Sequence, residues 1–408
     1  MNQTPAPGSP PPFQPVQGQP PQGWSPQAPA PGGTAPQGQP AQGQPAQGQP
    51  CAPWAQPQWA PQPAWPPQGN WAAPAQGWTG YPPAYALGQG WAVPRKDPRV
   101  KGASQTLNRL CLCVLAQTVF SLFWSFCASL FLGMLGADLL GDDLGYLLLT
   151  AALVPLSTAL PFVVYLAVGR RDLGEYLRFE KVGFLPGLLF VLAGLAICLL
   201  GNYPAFFLQD LLGAIGYQPA SGGVETSLSW SSFWVDLLST AVLVPVMEEL
   251  VFRGVVFSGL RKFGTGFAVV GSALVFGVVH MDVTNVLFAL VAGLVFGWLY
   301  ARTGNLWVTV AIHGLNNGLA VVGAYLGLFV PQSAAGLVNQ LLLAVPIALG
   351  ILALGLLFLF YREKLLAPLA QLTPCPLEAA AGGKALARTP LFWAIVLVMV
   401  WYTVSLFV

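Results

Sequence analysis

The chain holds 408 residues, of which 17 are Lys or Arg and 15 are Asp or Glu, so that 8% are charged, the net charge is +2 and the mean hydropathy is +0.61. Soluble domains carry about 25% charged residues, which excludes a soluble enzyme, a nucleic-acid binder and a disulfide-stapled secreted domain. A net charge this small also argues against a polyanion as partner.

Residues 1–94 contain no Lys, Arg, Asp, Glu or His, but 25 of the 38 prolines and seven of the fourteen tryptophans. The unit Ala-Gln-Gly-Gln-Pro repeats almost perfectly between Pro36 and Pro50. With few aliphatic residues to offset ordering entropy and prolines favouring extended, solvated backbone, 1–94 is predicted to be a disordered cytoplasmic tether. Its scattered tryptophans (Trp54, Trp59, Trp65, Trp71, Trp78) suit weak contacts, and nothing names its partner. No leader pattern follows Met1.

From residue 95 to 408 the pattern is that of a polytopic membrane domain. A span needs about 20 mostly apolar residues. Runs of that kind lie near 110–135, 145–168, 183–208, 234–260, 265–281, 284–301, 305–329, 335–360 and 391–408. The predicted fold is therefore an all-α transmembrane helix bundle of eight or nine spans in the lipid bilayer. Sixteen of the seventeen basic residues fall in connections on one side if the tail is cytoplasmic. The positive-inside rule then puts the C-terminus outside, in what is expected to be the plasma membrane. The six cysteines show no CxxC spacing and read as packing residues.

The exception is Arg253, inside the fourth run, which reads Val244-Pro245-Val246-Met247-Glu248-Glu249-Leu250-Val251-Phe252-Arg253-Gly254. Ionisable side chains within a span are costly and mark function by default. Glu249 and Arg253 are four apart and can pair on one helix face, whereas Glu248 points about 100° away. Pro245 leaves the Ala241 carbonyl without its helical donor, which predicts a kink.

The chain's only two histidines, His280 and His313, fall in the fifth and seventh runs, with Asn317 one turn after His313. At about 1.5 Å per residue, Glu248, His280, His313 and Asn317 all lie some 16–22 Å from the same surface. Such a set suits hydrolysis of a carbonyl compound. Glutamate, alone or with histidine, can activate water, and an amide can stabilise an oxyanion. Alternatively, Glu248, His280 and His313 are the ligand set of a catalytic zinc with one open position. Against these stands helix packing, in which Glu249–Arg253 is a structural pair and Asn317 joins two helices.

Glu-Glu-x-x-x-Arg, Phe-x-x-x-His and His-x-x-x-Asn, in this order on successive runs, resemble the CAAX-endopeptidase and bacteriocin-processing (CPBP) intramembrane proteases, a family that includes the Ras-converting enzyme. The resemblance covers about residues 235–325, and no motif position departs from it. It implies an endopeptidase acting on a membrane-associated peptide or protein. Glu248 and His280 would activate water, and His313 and Asn317 would bind the oxyanion or join in holding a metal. Glu249 and Arg253 would support the site. The tail and the ninth span lie outside the common core of the family. A non-proteolytic scaffold or bacteriocin-immunity protein would share the fold. A proton-coupled transporter would use buried Glu and His too, but no inverted repeat links the two halves.

Overall fold

A computed structural model describes residues 97–135, 143–219, 228–373 and 376–407. The tail, and with it the expectation of disorder, lies outside the described residues. Among the described residues the secondary structure is helical, apart from two isolated β-bridges.

The first helices are α1 (Pro98–Leu135), α2 (Asp143–Val168), the single turn α3 (Leu173–Tyr176) and α4 (Phe184–Gly213). Five segments then run on without a break, and together they are α5: Trp230–Leu238, a π-helical Ser239–Leu243, Val244–Glu249, a π-helical Leu250–Phe257, and Ser258–Arg261. The chain continues as α6 (Thr265–Val278), α7 (Val283–Thr303), α8 (Leu306–Ala324), α9 (Gln332–Leu366), α10 (Ala379–Ala387) and α11 (Pro390–Ser405).

Each apolar run expected from the sequence coincides with a helix, but the helices differ in their capacity to span. Five of the described helices are long and apolar enough to cross a membrane, or six if α10 and α11, bent by 70° at their junction, count as one. The 14-residue α6 extends ~21 Å, short of the ~30 Å hydrocarbon core. Charge and two π-helical stretches interrupt α5.

Two apolar clusters organise the bundle. One joins α1, α2, α5, α6 and α11 around Leu110, Phe162, Phe252, Val256 and Phe392. The other joins α4, α8 and α9 around Phe190, Leu199, Ile312 and Leu357. Helix α7 belongs to both, giving Ala289 and Tyr300 to the first and Ala292, Phe296 and Leu299 to the second. Many side chains on the outside of the bundle are apolar, Phe126, Leu359 and Trp401 among them, as a lipid-facing surface requires. A third arrangement positions the polar residues: α8 crosses α5 where the latter changes from π to α geometry. A methyl group on Gly314 would come within 2.6 Å of the Ala241 carbonyl oxygen, so glycine is what allows this approach.

Candidate active site

Pro245 explains the local form of α5. The amide of Val244 donates to the carbonyl of Ser239, five residues back. In the same register residue 245 would donate to Thr240, but proline has no N–H. The Thr240 carbonyl is taken instead by Asn317 Nδ2 of α8, at 3.0 Å. The break foreseen at Pro245 is thus a π-helical stretch, and the carbonyl it orphans is bridged to the neighbouring helix. Such stretches recur at functional sites because they re-aim the side chains that follow. Here the next turn carries Glu248 and Glu249.

Glu249 and Arg253 are both fully buried. Arg253 Nη1 donates to Glu249 Oε1 at 2.8 Å, and Nη2 donates to the Gly293 carbonyl of α7 at 3.4 Å. The guanidinium also lies over Phe276 and Phe296, 4.4 and 4.8 Å from their ring centroids. Buried charge is tolerated only when paired, and the aromatic faces replace part of its lost hydration.

The same carboxylate oxygen holds His313, whose Nδ1 lies 3.0 Å from Glu249 Oε1. A carboxylate accepts, so Nδ1 carries the proton and Nε2 is the nitrogen left for chemistry. The His313 ring stacks on Phe296, with 5.3 Å between centroids, and meets the Phe276 ring edge to face at 5.9 Å. Its Nε2 faces Glu248 Oε2 at 3.7 Å, beyond a direct hydrogen bond. Glu248 keeps some exposure, with 20% of its side chain accessible. The separation is compatible with a water bridging both atoms at ~2.8 Å.

His280 is placed differently from the expectation of a position within a span. It lies in the turn after α6, because Met281 adopts a left-handed φ of 60° and Asp282 caps α7. The apolar residues on both sides hide this break. His280 Nδ1 lies 2.8 Å from the Phe276 carbonyl, which also accepts, so Nε2 is again the free nitrogen. The rings of Phe276 and His280 meet edge to face at 5.0 Å, so both histidines touch Phe276. Among the described residues, no hydrogen bond or ion pair joins His280 to Glu248 or His313. Nor does any group of three His, Cys, Asp or Glu side chains converge to hold a metal ion. The expected zinc set of Glu248, His280 and His313 does not fit as a preformed ligand cage.

The turn carrying His280 is anchored by residues that sequence reasoning placed outside the site. Asp282 is only 1% exposed. It accepts from the Thr284 amide at 2.9 Å and from the Tyr217 hydroxyl. Thr403 of α11 accepts from the Val283 amide at 3.2 Å and donates to the Met281 carbonyl at 3.3 Å. The sequence signal was Asp-x-Thr ahead of an apolar run, a helix N-cap pattern. On α8, Asn316 is buried with its Oδ1 unpartnered among the described residues, while its amide donates to Asn317 Oδ1 at 3.3 Å.

The comparison with known proteins converges on this segment. A family model described as type II CAAX prenyl endopeptidase Rce1-like matches residues 230–319, from the start of α5 to the residue pair after Asn317. A curated protein of Bacillus subtilis (strain 168), "Putative membrane peptidase YdiL", is 30% identical over 129 residues, which is 30% of this chain and 53% of that protein. The chain thus spans about half the length of the curated relative it matches. No solved structure matches the chain. The matched residues hold all three motifs and every side chain of the Glu249–Arg253–His313 cluster, so the segment that builds the site is the one similar to the Rce1-like endopeptidases.

Proposed function

We propose that the chain is an intramembrane endopeptidase that hydrolyses a peptide bond of a membrane-associated peptide or protein. The observation that carries this reading is the opposition of Glu248 Oε2 and His313 Nε2 at 3.7 Å, beside the buried Glu249–Arg253 pair. Both are acceptors in their basic forms, and a water between them can donate to both. Glu248 takes the proton as the water attacks the carbonyl and returns it to the departing amine. His313 is oriented by Glu249, which is paired with Arg253 in an apolar surrounding. His280 offers Nε2 at the outer rim of the cluster and would take part in activating the water. Asn317 retains one amide proton beyond that given to Thr240, which suits it to bind the oxyanion together with structural bridging.

The proposed route uses the side chains of Glu248, His280 and His313 alone. This route predicts that purified protein in proteoliposomes cleaves a membrane-tethered peptide and keeps its rate after treatment with a strong chelator. His313→Ala would abolish that cleavage. A scaffold or immunity role is the alternative within the same fold. It would be favoured by a cellular phenotype that survives both Glu248→Gln and His313→Ala.

A further inference from the structure

We propose that Arg109, Arg171 and Lys262 form a binding site for the phosphate headgroup of an anionic phospholipid, at the junction of α1, α2 and α5. The junction is close-packed. A methyl group on Gly259, in the last turn of α5, would lie 3.6 Å from Leu110 and 3.7 Å from Tyr176. Leu110 neighbours Arg109 in α1. Tyr176 accepts a hydrogen bond from Arg171 Nη1 at 2.8 Å.

Arg171 is built into this place by its own turn. Helix α2 ends at Val168, Arg170 adopts a left-handed φ of 47°, and the Arg171 amide reaches back to the Leu166 carbonyl at 3.0 Å. The side chain folds over α2, with its guanidinium 4.2 Å from the Tyr165 ring centroid. Gly169 makes room for it, because a methyl group there would lie 2.5 Å from Arg171 Nε. A basic residue that served only to mark the inner side of a membrane would need no such turn.

The polar groups at the junction are donors that lack an acceptor. Arg171 Nε and the Tyr165 hydroxyl are both buried without a partner. Among the described residues, none of Arg109, Arg171 and Lys262 has an ion pair with a carboxylate. The nearest acid in sequence, Asp172, is engaged in capping α3 through the Gly174 amide at 2.9 Å. Partial burial, and then the like charges of Arg171 and Arg109, hold the Lys262 ammonium below the usual lysine range. Three cations, Arg109 of α1, Arg171 of the turn after α2 and Lys262 just past α5, together with two unsatisfied donors at the end of α2, call for an anion. Val168 and Leu173, on either side of the turn, are apolar and exposed, which suits a ligand whose phosphate continues into acyl chains. Basic pockets between helix ends at the inner face bind lipid headgroups in this way.

The test uses the full chain in detergent, with phosphatidylglycerol and phosphatidylcholine as competing probes and native mass spectrometry as readout. The wild type is expected to retain phosphatidylglycerol in preference to phosphatidylcholine. Arg109→Gln and Lys262→Gln should each weaken that preference about fivefold, the effect of one basic residue at a membrane surface. Lys384→Gln, a basic residue elsewhere, should leave it intact. Arg171→Gln carries the larger loss, and the two single variants keep the test open if it fails to fold. Equal retention of the two lipids by the wild type would overturn the proposal. So would an equal loss in Lys384→Gln, or displacement of the lipid by millimolar inorganic phosphate, which would identify a free anion as the ligand.

Discussion

Glu249 Oε1 is shared by two partners on opposite sides, Arg253 Nη1 at 2.8 Å and His313 Nδ1 at 3.0 Å. The ion pair within α5 and the orientation of the imidazole on α8 are therefore one device. Removing the guanidinium would leave a fully buried carboxylate with only a neutral imidazole beside it, at a cost of about 3–5 kcal/mol.

That relationship predicts a reversal. Arg253→Met should lower the unfolding temperature sharply, whereas Arg253→Met combined with Glu249→Gln should recover most of the loss, since no buried charge then remains unpaired. Cleavage should stay low in both, because His313 loses the acceptor that fixes its tautomer. Thermal unfolding and a cleavage assay on the same preparations check this. A double variant as unstable as the single one would contradict it.

Asn317 and Pro245 are coupled through the Thr240 carbonyl. Asn317→Ala leaves that carbonyl unsatisfied and should cost about 1–3 kcal/mol. On that background Pro245→Ala restores an N–H in register and should recover part of the stability. A double-mutant cycle measures the coupling, and strictly additive effects would mean that the two residues act separately.

Asp282 caps α7 and, with Tyr217 and Thr403, anchors the turn of His280. Asp282→Ala should cost about 0.5–2 kcal/mol as a lost cap and should also slow cleavage by releasing His280. With only two histidines in the chain, ring-labelled histidine gives two NMR spin systems. The His280 signal should shift in Asp282→Ala while the His313 signal stays. Movement of both together would point to a general loss of structure.

The sequence makes the helices legible because each is a long apolar run, and it makes Glu249–Arg253 legible because a four-residue spacing places both on one face. It also locates Pro245 as a break. It does not reveal that α5 responds with π-helical stretches, nor that Asn317 bridges the freed carbonyl, because both depend on how closely α8 approaches through Gly314. His280 was misplaced within a helix because Val278, Val279 and Met281 continue the apolar pattern across the turn. Asp282 is not legible as part of the site because its partner Tyr217 lies 65 positions away in the chain, a distance that no local pattern reports.

The most direct test of the account is Glu248→Gln in purified protein reconstituted with a membrane-tethered peptide. The substitution keeps the volume and removes the base. Cleavage should fall by about 10²–10⁴-fold, the usual contribution of such a group, with the unfolding temperature unchanged because Glu248 makes no buried ion pair with Arg253. Undiminished cleavage by a folded Glu248→Gln protein would show that the peptide bond is broken by other means.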